Sequence, residues 1–214
     1  MFKVKKVLAI MISLIILTGS ILVVSYMKAD ASQKSIAEKV IRFHVIANSD
    51  STEDQALKLK VRDNVLKYIS PKLKNSKSIE ESREIIKENN DEINKIAVKT
   101  IEENGYTYTI KSKLSHENFP VKTYGNITLP QGNYEAYRII IGNGQGHNWW
   151  CVMFPPLCFT DITKGDVEVK KTDEMMKKTL SKEEYELVND DVEKNNLVFK
   201  CKIAEKIKEA CKSK

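Results

Sequence analysis

The hydrophobic period of this chain changes once, and the change separates what can fold as helix from what can fold as sheet. Between residues 52 and 101 apolar side chains recur every three or four positions, the period of one helix face. From Tyr106 they recur every second position: Tyr106, Tyr108, Ile110 and Leu114 alternate with Thr107, Thr109, Lys111 and Lys113, which reads as a half-buried antiparallel strand. Further strands are expected at Val121 to Tyr124, Tyr134 to Ile141 and Trp149 to Phe154, separated by turn-rich segments around Gly125-Asn126, Pro130-Gln131-Gly132 and Gly142 to Asn148. Strands in succession without intervening helices predict a meander, with the helices packed on one face of an antiparallel sheet.

The helical half has its own punctuation. Val40 to Ala47, VIRFHVIA, is β-branched and aromatic and predicts a first strand ending at Asn48-Ser49-Asp50-Ser51. Ser51 with Asp54 forms a capping-box pattern, and Leu57, Val61, Val65 and Tyr68 follow at helical spacing, so a helix is expected from Thr52 to Ile69, stopped by Pro71. A second box, Ser78 with Glu81, opens one longer helix whose Ile85, Ile86, Ile93, Ile96, Ala97 and Ile101 face the core, with Gly105 as its C′ residue. Ser181 with Glu184 marks a short helix, and a lysine-rich amphipathic helix is expected from Val198 to Cys211. The class is therefore α+β, with one exported domain spanning residues 32–214.

Residues 1–31 place that domain outside the cytoplasm. Lys3, Lys5 and Lys6 precede a run from Val7 to Val24 without a charge, a basic region followed by an apolar one. Thr18-Gly19-Ser20 interrupts the run, so its continuous apolar part has the length of a signal-peptide core, and Ala29-Asp30-Ala31 supplies a cleavage site after Ala31. The alternative keeps residues 7–24 as an uncleaved anchor, which at about 1.5 Å per residue reaches roughly 27 Å. Either way the lysines stay inside and the remainder crosses, with the export machinery and signal peptidase as its first partners. Removing four Lys and one Asp lowers the formal charge from +6 to +3, and the remaining lysines interleave with glutamates. Such a surface is solvated and does not predict a nucleic-acid partner.

The densest chemistry lies between Gly142 and Phe159. Three glycines at spacing two do not form a dinucleotide fingerprint and read as a wide hairpin loop. His147 and Cys151 would make a cysteine-dependent enzyme if the imidazole activated the thiol, and this is the alternative function. Zinc ligation by His44, His147, Cys151 and Cys158 lacks a paired C-x-x-C spacing. Cys201 and Cys211, on the expected C-terminal helix, would lie about 15 Å apart and cannot pair with each other. A Cys151–Cys158 bridge across Pro155-Pro156 and four reduced thiols both remain open. Adjacent Trp149 and Trp150 must face opposite sides of their strand, which makes one a core residue and the other a partner anchor. Earlier in the chain Asn48, Ser49 and Asp50 occupy a strand-to-helix junction, a common docking position, with Arg62 and Asp63 one or two turns further on. No cofactor, metal site or small-molecule substrate is expected.

At two of these stretches, Val40 to Leu66 (VIRFHVIANSDSTEDQALKLKVRDNVL) and Asn148 to Asp161 (NWWCVMFPPLCFTD), the chain resembles the stage II sporulation protein R family of endospore-forming bacteria. The resemblance implies a secreted signalling protein, exported into the space between forespore and mother cell. There it would trigger a membrane-embedded aspartic protease, the sigma-E processing peptidase, and would not itself be an enzyme. On that resemblance, partner recognition falls on His44, Asn48, Asp50, Trp149, Trp150 and Pro155. A structural envelope protein held by an uncleaved anchor is the third expectation.

Overall fold

The computed structural model describes residues 2–159 and 169–190. The expected helix from Val198 to Cys211, with Cys201 and Cys211, lies outside the described residues. The chain begins with α1 (Phe2–Ala37), one unbroken helix whose residues from Met11 are long and apolar enough to cross a membrane. Its last turn belongs to the globular part: Ile36 is buried, and Ser35 and Lys39 both reach the Glu184 carboxylate.

β1 (Ile41–Ile46) lies inside the sheet and is buried along its whole length. α2 (Thr52–Leu73) starts at Ser51, whose hydroxyl accepts the Asp54 amide. It passes through Pro71 instead of stopping before it. A proline removes only its own amide, and the Lys74 amide still bonds to the Ser70 carbonyl, so the last turn closes around the gap. The expected long second helix is two helices, α3 (Ile79–Glu88) and α4 (Asn90–Glu103), divided at Asn89, which caps one and begins the other. The Asn89 amide group donates back to the Ile85 carbonyl, while its oxygen accepts the Tyr68 hydroxyl, so a local side-chain bond replaces helical continuity. Gly105 takes the expected C′ place with φ +81°.

The strand after the period change, β2 (Ile110–Phe119), is followed by a small hairpin of β3 (Lys122–Tyr124) and β4 (Ile127–Leu129), then by β5 (Gly132–Ile141) and β6 (Asn148–Phe154). The main sheet has the order β2-β5-β1-β6, and β3 pairs with β4 in a second sheet. The α+β class stands, but the sheet is mixed and not an antiparallel meander: β2 is antiparallel to β5 and β6 to β1, while β1 and β5 run parallel with His44 opposite Arg138. The physical reason is the content of β1. Both faces of this strand are buried, Phe43 towards the helices and Arg42 and His44 against aromatic rings on the other side, so it takes the sheet centre and enters between β5 and β6 where a meander would have paired those two.

On one face α2 packs beside α4, and Val61, Val65, Leu66, Ile69, Ile93 and Ile101 are each at most 2% exposed. Each such side chain contributes about 1.5–3 kcal/mol of burial. Phe43 and Tyr137 stack on this side, and the Tyr137 hydroxyl donates to Asn90 at 2.9 Å. The opposite face is also covered in part. There the guanidinium of fully buried Arg42 lies 4.5 Å from the Phe119 ring, 4.9 Å from Tyr134 and 5.5 Å from Tyr124 of the hairpin, and donates to the Tyr124 hydroxyl. Aromatic faces thus do for this cation what a carboxylate does elsewhere. Beyond the sheet come α5 (Val169–Thr179) and α6 (Lys182–Val188), the latter opened by a complete capping box of Ser181 and Glu184.

Candidate partner-binding surface

β1 and β5 are parallel neighbours, so the loops that leave their carboxyl ends, Ala47–Ser51 and Gly142–His147, emerge side by side. Asn48 ties them together. Its amide group donates to Asp54 at 2.8 Å, its side-chain oxygen accepts the Asn143 amide at 3.0 Å, and its own carbonyl accepts the Gln145 amide. The Gly146 amide bonds to the Ala47 carbonyl at 3.0 Å. The glycines are required by this contact: a Cβ at Gly146 would meet the Ser49 carbonyl oxygen at 2.1 Å, and one at Gly142, where φ is +55°, would meet the Asn48 side-chain oxygen at 2.3 Å.

Asp50 closes the rim of the clasp. Its carboxylate accepts the His147 amide at 2.5 Å and also contacts the His147 ring through Nδ1. The backbone bond from His147 holds the Asp50 carboxyl below its usual range. Beneath, Asp54 does more than cap α2. Desolvation pushes its pKa up, but donors from Ser49, Asn48 and Tyr108 outweigh it and the net shift is downward. Lys58, only 5% exposed, donates to the His147 carbonyl at 2.9 Å and to Gln55, and burial lowers its pKa. These bonds make two loops separated by some ninety residues into one stiff ridge that presents Asp50 and His147 to solvent.

The six residues singled out from sequence divide by location. Asn48 and Asp50 lie in the ridge, with Asn48 as its tie. Trp149 lies two residues beyond His147, on the helix-covered face, edge-on to Phe43 at 5.8 Å and under the Arg62 guanidinium at 4.8 Å. Arg62 also holds its ion pair with Asp63. Trp150 points to the other face, against His44 at 4.3 Å and Phe119 at 4.6 Å. The two indoles do face opposite ways, yet both are half-buried, so the expected division into one core and one exposed tryptophan is not found. His44 is buried on the Trp150 side, and Pro155 is buried at the far end of β6, after a cis bond from Phe154.

Lys58, Asn143 and the clasping role of Gly142 and Gly146 were missed by sequence reasoning, where the glycines showed only as a turn. Cys151 and Cys158 form a disulfide with Cα atoms 6.0 Å apart, and Cys151 is 3% exposed. That bond leaves Cys151 no thiolate for the alternative chemistry with His147. Among the described residues no three His, Cys, Asp or Glu side chains converge as metal ligands. What the ridge offers is a preorganised polar edge with an aromatic flank, a geometry suited to docking a protein.

A protein-family model described as stage II sporulation protein R matches residues 37–164, a span that contains all six candidate residues. The stage II sporulation protein R of Bacillus subtilis (strain 168) is 41% identical to this chain over 194 residues, which cover 88% of this chain and 84% of that protein. No solved structure matches the chain. With a family match over more than half of its length and a relative aligned along most of both sequences, the chain belongs to the stage II sporulation protein R family.

Proposed function

We propose that this protein is an exported sporulation signal that activates a membrane-embedded aspartic protease, the sigma-E processing peptidase, from the space between forespore and mother cell. The observation that carries the reading is the clasped ridge: the Asn48 and Asp50 bonds fix two loops in advance, so little ordering entropy is lost when a partner docks there. The N-terminal apolar helix is compatible with export, as a signal or as an anchor, and family membership supports a role in sporulation. The signal acts by binding the active form of the protease more tightly than the inactive one, and its effect is limited by that difference. Bound to Asp50, His147 and Trp149, the protease would be held in its cutting conformation.

The test is reconstruction in a non-sporulating host that produces this chain, the protease and its sigma precursor. Processing should require all three and should require export of this chain. Equal processing by a version lacking residues 1–31 and retained in the producing cytoplasm would refute the reading.

A further inference from the structure

Apart from the α1 run, the large apolar side chains that the described residues leave well exposed are Leu59, Val121 and Leu187. Two of these three line one groove. On one side it is walled by a stripe of α1, Ser25, Ala29, Ser32 and Ile36 at helical spacing with Lys28 beside them. On the other side stand Val121, Thr128 and Pro130 around the β3–β4 hairpin and Leu187 and Val188 of α6. The groove has a volume of about 580 Å³ and is lined mainly by apolar or small side chains, with Gln33 and Gln131 as its amides and Lys28 and Asp190 as its charges.

Its position along α1 says what covers it. The run without charge extends to Met27, its last continuous apolar stretch ends at Val24, and the groove begins at Ser25, the next residue. A helix rises about 1.5 Å per residue, so Ser25 to Ala29 climb through about 6 Å, while the headgroup layer of a bilayer adds roughly 5–8 Å beyond the hydrocarbon on each side. The membrane-proximal part of the groove therefore falls within the headgroup layer whenever residues 7–24 span a bilayer. The angle between helix and domain is set by covalent continuity together with the buried Ile36 and the Ser35 and Lys39 bonds to Glu184.

We propose that α1 is retained in the folded protein and that this groove rests on the outer surface of the membrane α1 crosses, with lipid acyl chains and glycerol groups covering Val121 and Leu187. Apolar side chains flanked by a lysine at the headgroup level are the pattern of an interfacial contact. Cleavage after Ala31 would remove Ser25, Lys28 and Ala29 and with them one wall of the groove. The occupant is the anchoring bilayer and not the protease, so the proposal stands or falls separately from the proposed function.

The test uses the full chain in a Cys201→Ser, Cys211→Ser background, reconstituted in phosphatidylglycerol and phosphatidylethanolamine vesicles. Single Val121→Cys, Leu187→Cys and Leu59→Cys variants carry an environment-sensitive fluorophore, and lipids brominated near the glycerol end of the acyl chain serve as quenchers. Quenching should be roughly threefold stronger at positions 121 and 187 than at 59. Equal quenching at all three positions would overturn the proposal, as would quenching at 121 and 187 that arises only when the protease is added. On the chain without labels, a diazirine-bearing phosphatidylglycerol should modify residues 119–131 and 182–190 and spare 52–66. Modification confined to residues 7–24 would also overturn it.

Discussion

His44 makes the stability of this protein depend on pH in a way that one substitution should remove. It sits at the centre of β1, 4% exposed, between Trp150 and the edge of Phe119, and neither ring nitrogen has a hydrogen-bond partner. Desolvation, and after it the charge of Arg138, lowers its pKa from 6.5 to about 4, against a smaller opposing effect of Glu117. The unfolded chain thus binds this proton more readily than the folded one. The contribution is complete above about pH 6.5 and is lost as pH falls through the folded value near 4. At about 1.4 kcal/mol per unit, the full loss is about 3 kcal/mol, a large part of a typical domain's stability. His44→Phe keeps an aromatic ring between Phe119 and Trp150, removes the titration, and should cost about 1 kcal/mol or less at neutral pH. Urea titrations of both proteins between about pH 7 and about pH 4 give the difference directly. Glu184, held down to about 2, and Asp54, also lowered, lose their contributions at lower pH and are common to both proteins. Equal acid losses in the two proteins across this range would refute the reasoning.

Other substitutions should separate folding from signalling. Trp149→Ala and Trp150→Ala should each lower the thermal midpoint by less than the 3 to 5 kcal/mol equivalent of a fully buried tryptophan, because each indole is only half-covered. Only Trp149→Ala, beside the ridge, should also weaken activation of the protease in a processing assay, by about 2 kcal/mol. Asn48→Ala leaves the Asn143 amide and Asp54 short of a partner and should cost about 1–3 kcal/mol by chemical denaturation. Replacing Cys151 and Cys158 together by Ser should cost about 2.5 kcal/mol by loop entropy while leaving activation measurable, and a stable, folded, wholly inactive double variant would favour thiol chemistry.

The period change at Gly105 was legible because it depends on local alternation, and it located β5 and β6 to within two residues of their ends, whereas β2 starts at Ile110, beyond Tyr106 and Tyr108, and runs on past Leu114 to Phe119. The capping serines at 51, 78 and 181 were legible for the same reason. The parallel pairing of β1 with β5 was not, since strand order is decided by which strand is covered on both faces, a property of the assembled sheet. The break at Asn89 and the passage of α2 through Pro71 turn on individual side-chain bonds and single missing amides, which periodicity averages over. β4 is only three residues long, too short to show a period. In the ridge, Asn48 and Asp50 were noticed as helix-start residues, but their partners lie 95 and 97 positions away, and no local pattern joins Asp50 to His147.

The central claim is that the clasped ridge is the surface that meets the protease. Site-specific photo-crosslinking tests it most directly, with a photoreactive amino acid in place of His147, whose side chain is 80% exposed, or of Lys95, 74% exposed on α4 at a distance from the ridge. In cells producing both proteins, the residue at 147 should capture the protease and the one at 95 should not, and Asn48→Ala should abolish the capture. Capture from position 95 with none from 147, by protein that is folded and exported, would contradict the account.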